Sequence, residues 1–128
     1  MPPILHSMAK KWCTVQKDAA YTWYFDRQLP GDENGAWHSS DLWYWFGTLP
    51  NCWRPMEEKD YELSGQMVDY LCNFARSGNP NGAELPEWRS TSVGEKRVMC
   101  MGEQATGMRK PGMLKMIHTM LINKAVGE

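Results

Sequence analysis

Asp26-Arg27-Gln28-Leu29-Pro30-Gly31-Asp32-Glu33-Asn34-Gly35-Ala36-Trp37-His38-Ser39-Ser40-Asp41-Leu42-Trp43-Tyr44-Trp45-Phe46-Gly47 is the stretch from which the rest of the chain can be read. The run Tyr21-Thr22-Trp23-Tyr24-Phe25 leads into it. Aromatic and β-branched residues dominate that run, so residues 20 to 25 are expected to form a strand. Its nearly continuous apolar character suits a strand covered on both faces, as in a parallel sheet flanked by helices. Pro30-Gly31 is a turn signal, and a short acidic loop follows it. Ser39 or Ser40 is placed to cap a short helical segment reaching Trp45, and Gly47 to end it. His38 therefore falls in the loop between a strand and a helix, with its ring expected to be partly exposed. Imidazole changes charge near neutral pH, so a loop-held histidine is a natural proton carrier. A hydrogen-bonded structural histidine is the competing reading.

Upstream, Leu5, Met8, Trp12 and Val15 recur at helical spacing and predict a helix over 4–16. Helix followed by strand is the order a helix-flanked parallel sheet requires. Downstream, Leu49 to Pro55 reads as a loop with two prolines. Pro55 suits the first position of a new helix, and Glu57, Glu58 and Asp60 suit its positive N-terminal end. Leu63, Met67, Tyr70 and Phe74 follow one stripe, with Val68, Leu71 and Ala75 beside it, so a helix is expected over 56–76 with Met67, Leu71 and Phe74 buried. Gly78 is its stop, and Asn79-Pro80-Asn81-Gly82 is a turn cluster. Val98-Met99-Cys100-Met101 is expected to be a short strand at a sheet edge, Gly102 to Gly112 a loop, and Met113, Ile117, Met120 and Leu121 the core face of a terminal helix. His118 and His6 are assigned structural or exposed positions.

The 128 residues suit one domain or part of one, and a formal net charge of −1 with no basic block argues against a nucleic-acid footprint. No apolar run approaches the length of a membrane span, and Met1 to His6 lacks the basic and apolar regions of a signal peptide. Cys13, Cys52, Cys72 and Cys100 are irregularly spaced and form no metal-ligand pair; buried free thiols are expected, with disulfides the alternative. Of the seven tryptophans, Trp37, Trp43, Trp45 and Trp53 crowd close to His38 in sequence. Large aromatics around a polar tip suit either a pocket lining or a core.

Tyr24-Phe25-Asp26-Arg27, then Gly35-Ala36-Trp37-His38-Ser39-Ser40-Asp41-Leu42, then Phe46-Gly47 resembles the histidine loop of the type B carboxylesterases. That family includes the bacterial para-nitrobenzyl esterases and the cholinesterases. Asp60 to Leu63, Asn73-Phe74-Ala75, Gly78 to Gly82 and Leu85-Pro86-Glu87-Trp88 resemble its segment towards the C-terminus. The resemblance runs in order from about Tyr21 to Trp88. It implies residues 1–128 as a partial α/β-hydrolase domain, a C-terminal segment with helix, strand, histidine loop, helix, short edge strand and terminal helix, and an incomplete sheet. It also implies a small-molecule carboxylic ester as substrate and no cofactor.

A serine hydrolase links three groups: a serine that attacks the carbonyl, a histidine that takes and returns its proton, and a carboxylate that orients the imidazole. By resemblance His38 is the general acid and base. Asp41, just after it, holds the loop's backbone donors or a neighbouring side chain; a helix N-terminal acid is its plainer reading. Trp37 and Trp43 are candidate walls of a substrate pocket. The chain has no G-x-S-x-G elbow and no glycine-rich stretch for an oxyanion hole. The nucleophile, oxyanion loop and triad acid are therefore expected upstream, in the N-terminal part of the same fold, which becomes a partner for this one. The alternatives are a non-catalytic cholinesterase-like adhesion domain and an inactive fragment.

Overall fold

Trp23–Phe25 form β1, Leu42–Trp45 a short helix α1, and Leu49–Asn51 one turn of 3-10 helix. Glu58–Ser77 form the long helix α2, and Val98–Met101 and Gly107–Arg109 the strands β2 and β3. The structure is a computed structural model and describes residues 8, 11, 12, 14, 15, 17–92 and 94–110. Most of the helix expected over 4–16 lies outside the described residues; Met8, Lys11 and Trp12 are helical and exposed. The expected terminal helix, His6, His118 and Cys13 also lie outside them.

Among the described residues the sheet has the order β1-β2-β3. β1 pairs parallel with β2, Trp23 opposite Met99 and Phe25 opposite Met101, and β2 pairs antiparallel with β3. The histidine loop, α1 and α2 all lie in the crossover between the two parallel strands, as a parallel pair requires. Two expectations are corrected here. Val98–Met101 is the middle strand rather than an edge, and all four of its residues are buried. The Gly102–Gly112 loop is interrupted by β3. β2, not β1, is thus the strand covered on both faces: Trp23 in β1 stays 38% exposed.

α2 runs as one helix, but it begins after Glu57 rather than at Pro55, and Gly78 ends it with a left-handed φ of 75°. Its stripe divides along its length. Leu63, Met67 and Tyr70 are buried against Phe25, Leu29, Tyr44 and Leu49, whereas Leu71 and Phe74 are 42% and 44% exposed. Helical periodicity marks an apolar face but not the length over which other elements cover it. Tyr70 is roofed by Trp88, ring centroids 5.3 Å apart, and its hydroxyl donates to the Pro86 carbonyl at 2.5 Å; burial pushes its pKa up to about 12. Cys52, Cys72 and Cys100 are free thiols, and only Cys100 is buried. Burial raises the Cys100 pKa.

The expected serine cap of α1 is also corrected. Asp41 holds that position without a side-chain capping bond. Two polar residues that periodicity would leave outside are buried instead: Arg27, 6% exposed, and Asp60, 0% exposed. Arg27 Nε donates to Asp60 Oδ1 at 2.7 Å and Nη2 to Oδ2 at 3.2 Å. The Tyr44 hydroxyl donates to Oδ1 at 2.7 Å and the Glu57 backbone N–H to Oδ2 at 2.8 Å. Four donors fill the acceptor sites of one carboxylate. The guanidinium also reaches Glu57 Oε2 and Glu103 Oε1, each at 3.2 Å.

Burial pushes the Asp60 pKa up, but the bonds from Arg27, the Glu57 N–H and Tyr44 together hold it below its ordinary value of 3.8. A carboxyl depressed in the fold contributes stability that is present above the unfolded pKa and is lost as pH falls through the folded one. Acid titration should therefore show stability declining below about pH 4, and Asp60→Asn should flatten that part of the curve, read by denaturant melts at several pH values. At neutral pH, Arg27→Met leaves Asp60 buried without its cation and should cost about 3–5 kcal/mol. Met67→Ala, at a fully buried site, should cost about 2–5 kcal/mol in the same assay.

Candidate active site

The histidine loop leaves the sheet after Phe25 and is fastened before it turns. Asp26 N–H donates to the Met101 carbonyl at 3.1 Å, and the Asp26 carboxylate accepts the Glu103 N–H at 3.0 Å. Gly102 sits beneath this crossing with φ 150°; a Cβ there would stand 2.5 Å from the Arg27 nitrogen, so the close approach needs glycine. Leu29 is fully buried, and the Pro30-Gly31 turn closes with Asp32 N–H on the Leu29 carbonyl at 3.0 Å. Arg54, from the segment after the 3-10 turn, donates to both the Pro30 carbonyl, 3.0 Å, and Asp32 Oδ1, 2.6 Å. Its guanidinium also lies 4.6 Å from the Trp53 ring centroid.

Trp37 Nε1–H donates to the other Asp32 oxygen at 2.8 Å. The bonds from Arg54 and then from Trp37 hold the Asp32 carboxyl below the usual range. The residue before His38 is thus tied back to the loop's first turn. On the far side, Asp41 Oδ2 accepts the indole N–H of Trp23, 3.3 Å, and of Trp45, 3.1 Å. The two rings meet edge to face at 5.2 Å. Asp41 is therefore more than a helix N-terminal acid: it joins the turn after His38 to β1.

His38 itself opens a tight turn in which Ser40 N–H donates to the Trp37 carbonyl at 3.1 Å. Ser39 has a left-handed φ of 68°, uncommon for a residue with a side chain. The His38 ring is exposed, and among the described residues it has no hydrogen-bond partner. Ser40 is buried with no partner for its hydroxyl among the described residues, and the buried Ser64 hydroxyl donates to the Tyr44 carbonyl at 2.9 Å. Neither is presented to the imidazole as a nucleophile.

An apolar groove of about 490 Å³ opens beside β1, lined chiefly by Tyr21, Trp23, Trp45, Phe46, Leu71 and Phe74, with Asp41 at its wall. Trp37 and Trp43 do not line this groove. Trp37 is an exposed ring beside His38, and Trp43 is half-buried against the core. Sequence reasoning did not single out Asp32, Arg54 or Trp23 as supports of the loop. Asp32 in the acidic loop and Arg54 beside Trp53 were visible as charges, but nothing local pairs residues so far apart.

The carboxylesterase family profile matches residues 3–118. Carboxylesterase 4A of Bos taurus is 37% identical over 81 residues, covering 59% of this chain and 14% of that protein. The cocaine esterase of Homo sapiens is 55% identical over 31 residues, covering 24% of this chain and 6% of that protein. Among solved structures, an esterase from Clostridium hathewayi, described as hydrolysing aliphatic aromatic polyesters, superposes with a TM-score of 0.66 at 21% identity. It covers 80% of this chain and 21% of the other, a likeness of fold. This chain spans only a small part of the length of each of these relatives, and over nearly all of its own length it belongs to the carboxylesterase family.

Proposed function

We propose that this chain carries the general acid–base histidine, His38, of a carboxylic-ester hydrolase whose nucleophilic serine, oxyanion donors and triad acid lie in parts of the fold outside it. The observation that carries this reading is an exposed, unengaged imidazole held on a turn whose two sides are separately fastened. Both ring nitrogens are available. In acylation one takes the serine proton as the hydroxyl attacks the ester carbonyl, while the other N–H is held by the acid. The imidazolium then delivers that proton to the leaving alkoxide, and in deacylation the cycle repeats with water.

Asp41 acts through position. By holding Trp23 and Trp45 it fixes where the turn sits against β1, and a displacement of about 1 Å at a catalytic group can cost on the order of 10²-fold in rate. Trp37, exposed beside His38, serves as a wall for the substrate. The same chemistry needs a preorganised donor pair for the oxyanion, which is commonly the largest single contribution to acyl transfer.

Two assays test the reading. The 128-residue chain alone should hydrolyse p-nitrophenyl esters no faster than a His38→Ala control. In a full-length carboxylesterase containing this segment, His38→Ala should lower kcat by several orders of magnitude, because triad members act as a unit. Asp41→Ala should lower it by about 10²-fold with KM little changed. Strong His38-dependent turnover by the chain alone would place a nucleophile within it, and full activity of the substituted esterase would remove His38 from the mechanism.

A further inference from the structure

Asn-Gly occurs twice in the chain, at Asn34-Gly35 in the histidine loop and at Asn81-Gly82 in the turn after α2. The dipeptide can react with itself. Glycine has no Cβ to keep its backbone nitrogen away from the preceding side chain, and asparagine is among the thermally labile residues. What separates the two copies is how tightly the fold holds the reacting groups.

Asn81 is held by both ends of its amide. Its Oδ1 accepts the Trp88 N–H at 2.6 Å, and its Nδ2 donates to the Trp88 carbonyl at 2.8 Å and to Asn79 Oδ1 at 2.9 Å. Asn73 closes over the next residue: a Cβ on Gly82 would stand 2.9 Å from Asn73 Nδ2. Turning the Asn81 amide carbon towards the Gly82 nitrogen breaks those three bonds. Asn34, by contrast, is exposed, and among the described residues its side chain has no hydrogen bond. A Cβ on Gly35 would meet nothing within 4 Å, so the space around that residue is open. One restraint remains. Gly35 N–H donates to Gln28 Oε1 at 3.0 Å, and that bond is exposed.

We propose that Asn34 is a site of spontaneous deamidation and that Gln28 slows it by holding the Gly35 nitrogen. Released from Gln28, the Gly35 nitrogen gives up its proton to solvent and bonds to Asn34 Cγ. The bond from Cγ to the side-chain nitrogen breaks, and ammonia leaves. Water then opens the resulting succinimide. Cleavage at Cγ yields aspartate; cleavage at the backbone carbonyl yields isoaspartate, whose main chain runs through the former side chain. Either product adds a carboxylate beside Glu33, and isoaspartate also lengthens the main chain four positions before His38. The modification does not depend on His38 being catalytic.

The test is to incubate the 128-residue chain in mildly alkaline buffer and map it by trypsin digestion and mass spectrometry, with fragmentation that tells aspartate from isoaspartate. Arg76 lies between the two sites, so they fall in separate peptides. Asn34 should convert at least about tenfold faster than Asn81, which has three hydrogen bonds to lose. In the chain unfolded by guanidinium the two rates should converge, because only the following glycine then sets each of them. Gln28→Ala should raise the Asn34 rate by about two- to fivefold and leave Asn81 unchanged, and Gln28→Glu, which keeps an acceptor oxygen, should restore the slow rate. Equal rates in the folded chain, or conversion of Asn81 ahead of Asn34, would overturn the proposal. A Gln28→Ala chain that converts Asn34 no faster, or that accelerates both sites alike, would overturn the part given to Gln28.

Discussion

Asp60 gathers the structure at one carboxylate. Arg27 and Tyr44 both donate to its Oδ1 at 2.7 Å, and these two residues mark the two ends of the histidine loop. The loop is thus closed at its base by a single oxygen, which lies at the N-terminus of α2. Glu103, from beyond β2, joins through Arg27. Strand exit, short helix, long helix and the turn after the central strand therefore meet within one hydrogen-bonded group. Desolvating such charges is expensive, and a buried pair is weak evidence for net stability. Its stronger consequence here is geometric: the bidentate fork admits one orientation of the loop base relative to α2.

Above that base, the loop is held by contacts of a different kind. Each flank of His38 is tied by a carboxylate accepting an indole N–H, Asp32 from Trp37 and Asp41 from Trp23 and Trp45. Indoles suit this position because one end packs while the other donates. Trp45 illustrates both uses, stacking edge to face on Trp23 while bonded to Asp41. The arrangement leaves the imidazole free of structural duties. A histidine that held the fold together through its ring nitrogens would have neither to spare for proton transfer.

Much of the aromatic content of the 128 residues goes to three destinations. Tyr44, Tyr70 and Trp88 are core, Trp37 and Trp45 support the histidine turn, and Trp23, Phe46 and Phe74 face the groove. The last group explains why α2 is amphipathic along its whole length but covered only in its first part. Helical periodicity marks the apolar face, and only the contacts of the assembled fold decide how much of it is covered.

What was legible from sequence followed from local rules. Helical spacing and a terminal glycine mark α2, and turn residues on either side place His38 between a strand and a helix. Four apolar residues in a row mark Val98–Met101 as a strand. These features depend on residues a few positions apart, so the chain alone determines them. Tertiary structure decided the rest. Whether Val98–Met101 lies at an edge or in the middle depends on which strands join it. The burial of Asp60 depends on Arg27 arriving from 33 positions away, and the tethering of His38 on Arg54 reaching 22 positions back to Asp32. Charges read singly look like solvated surface. They become internal supports only when the fold removes water from them and supplies donors, which is a property of the assembled contacts and not of any window of sequence.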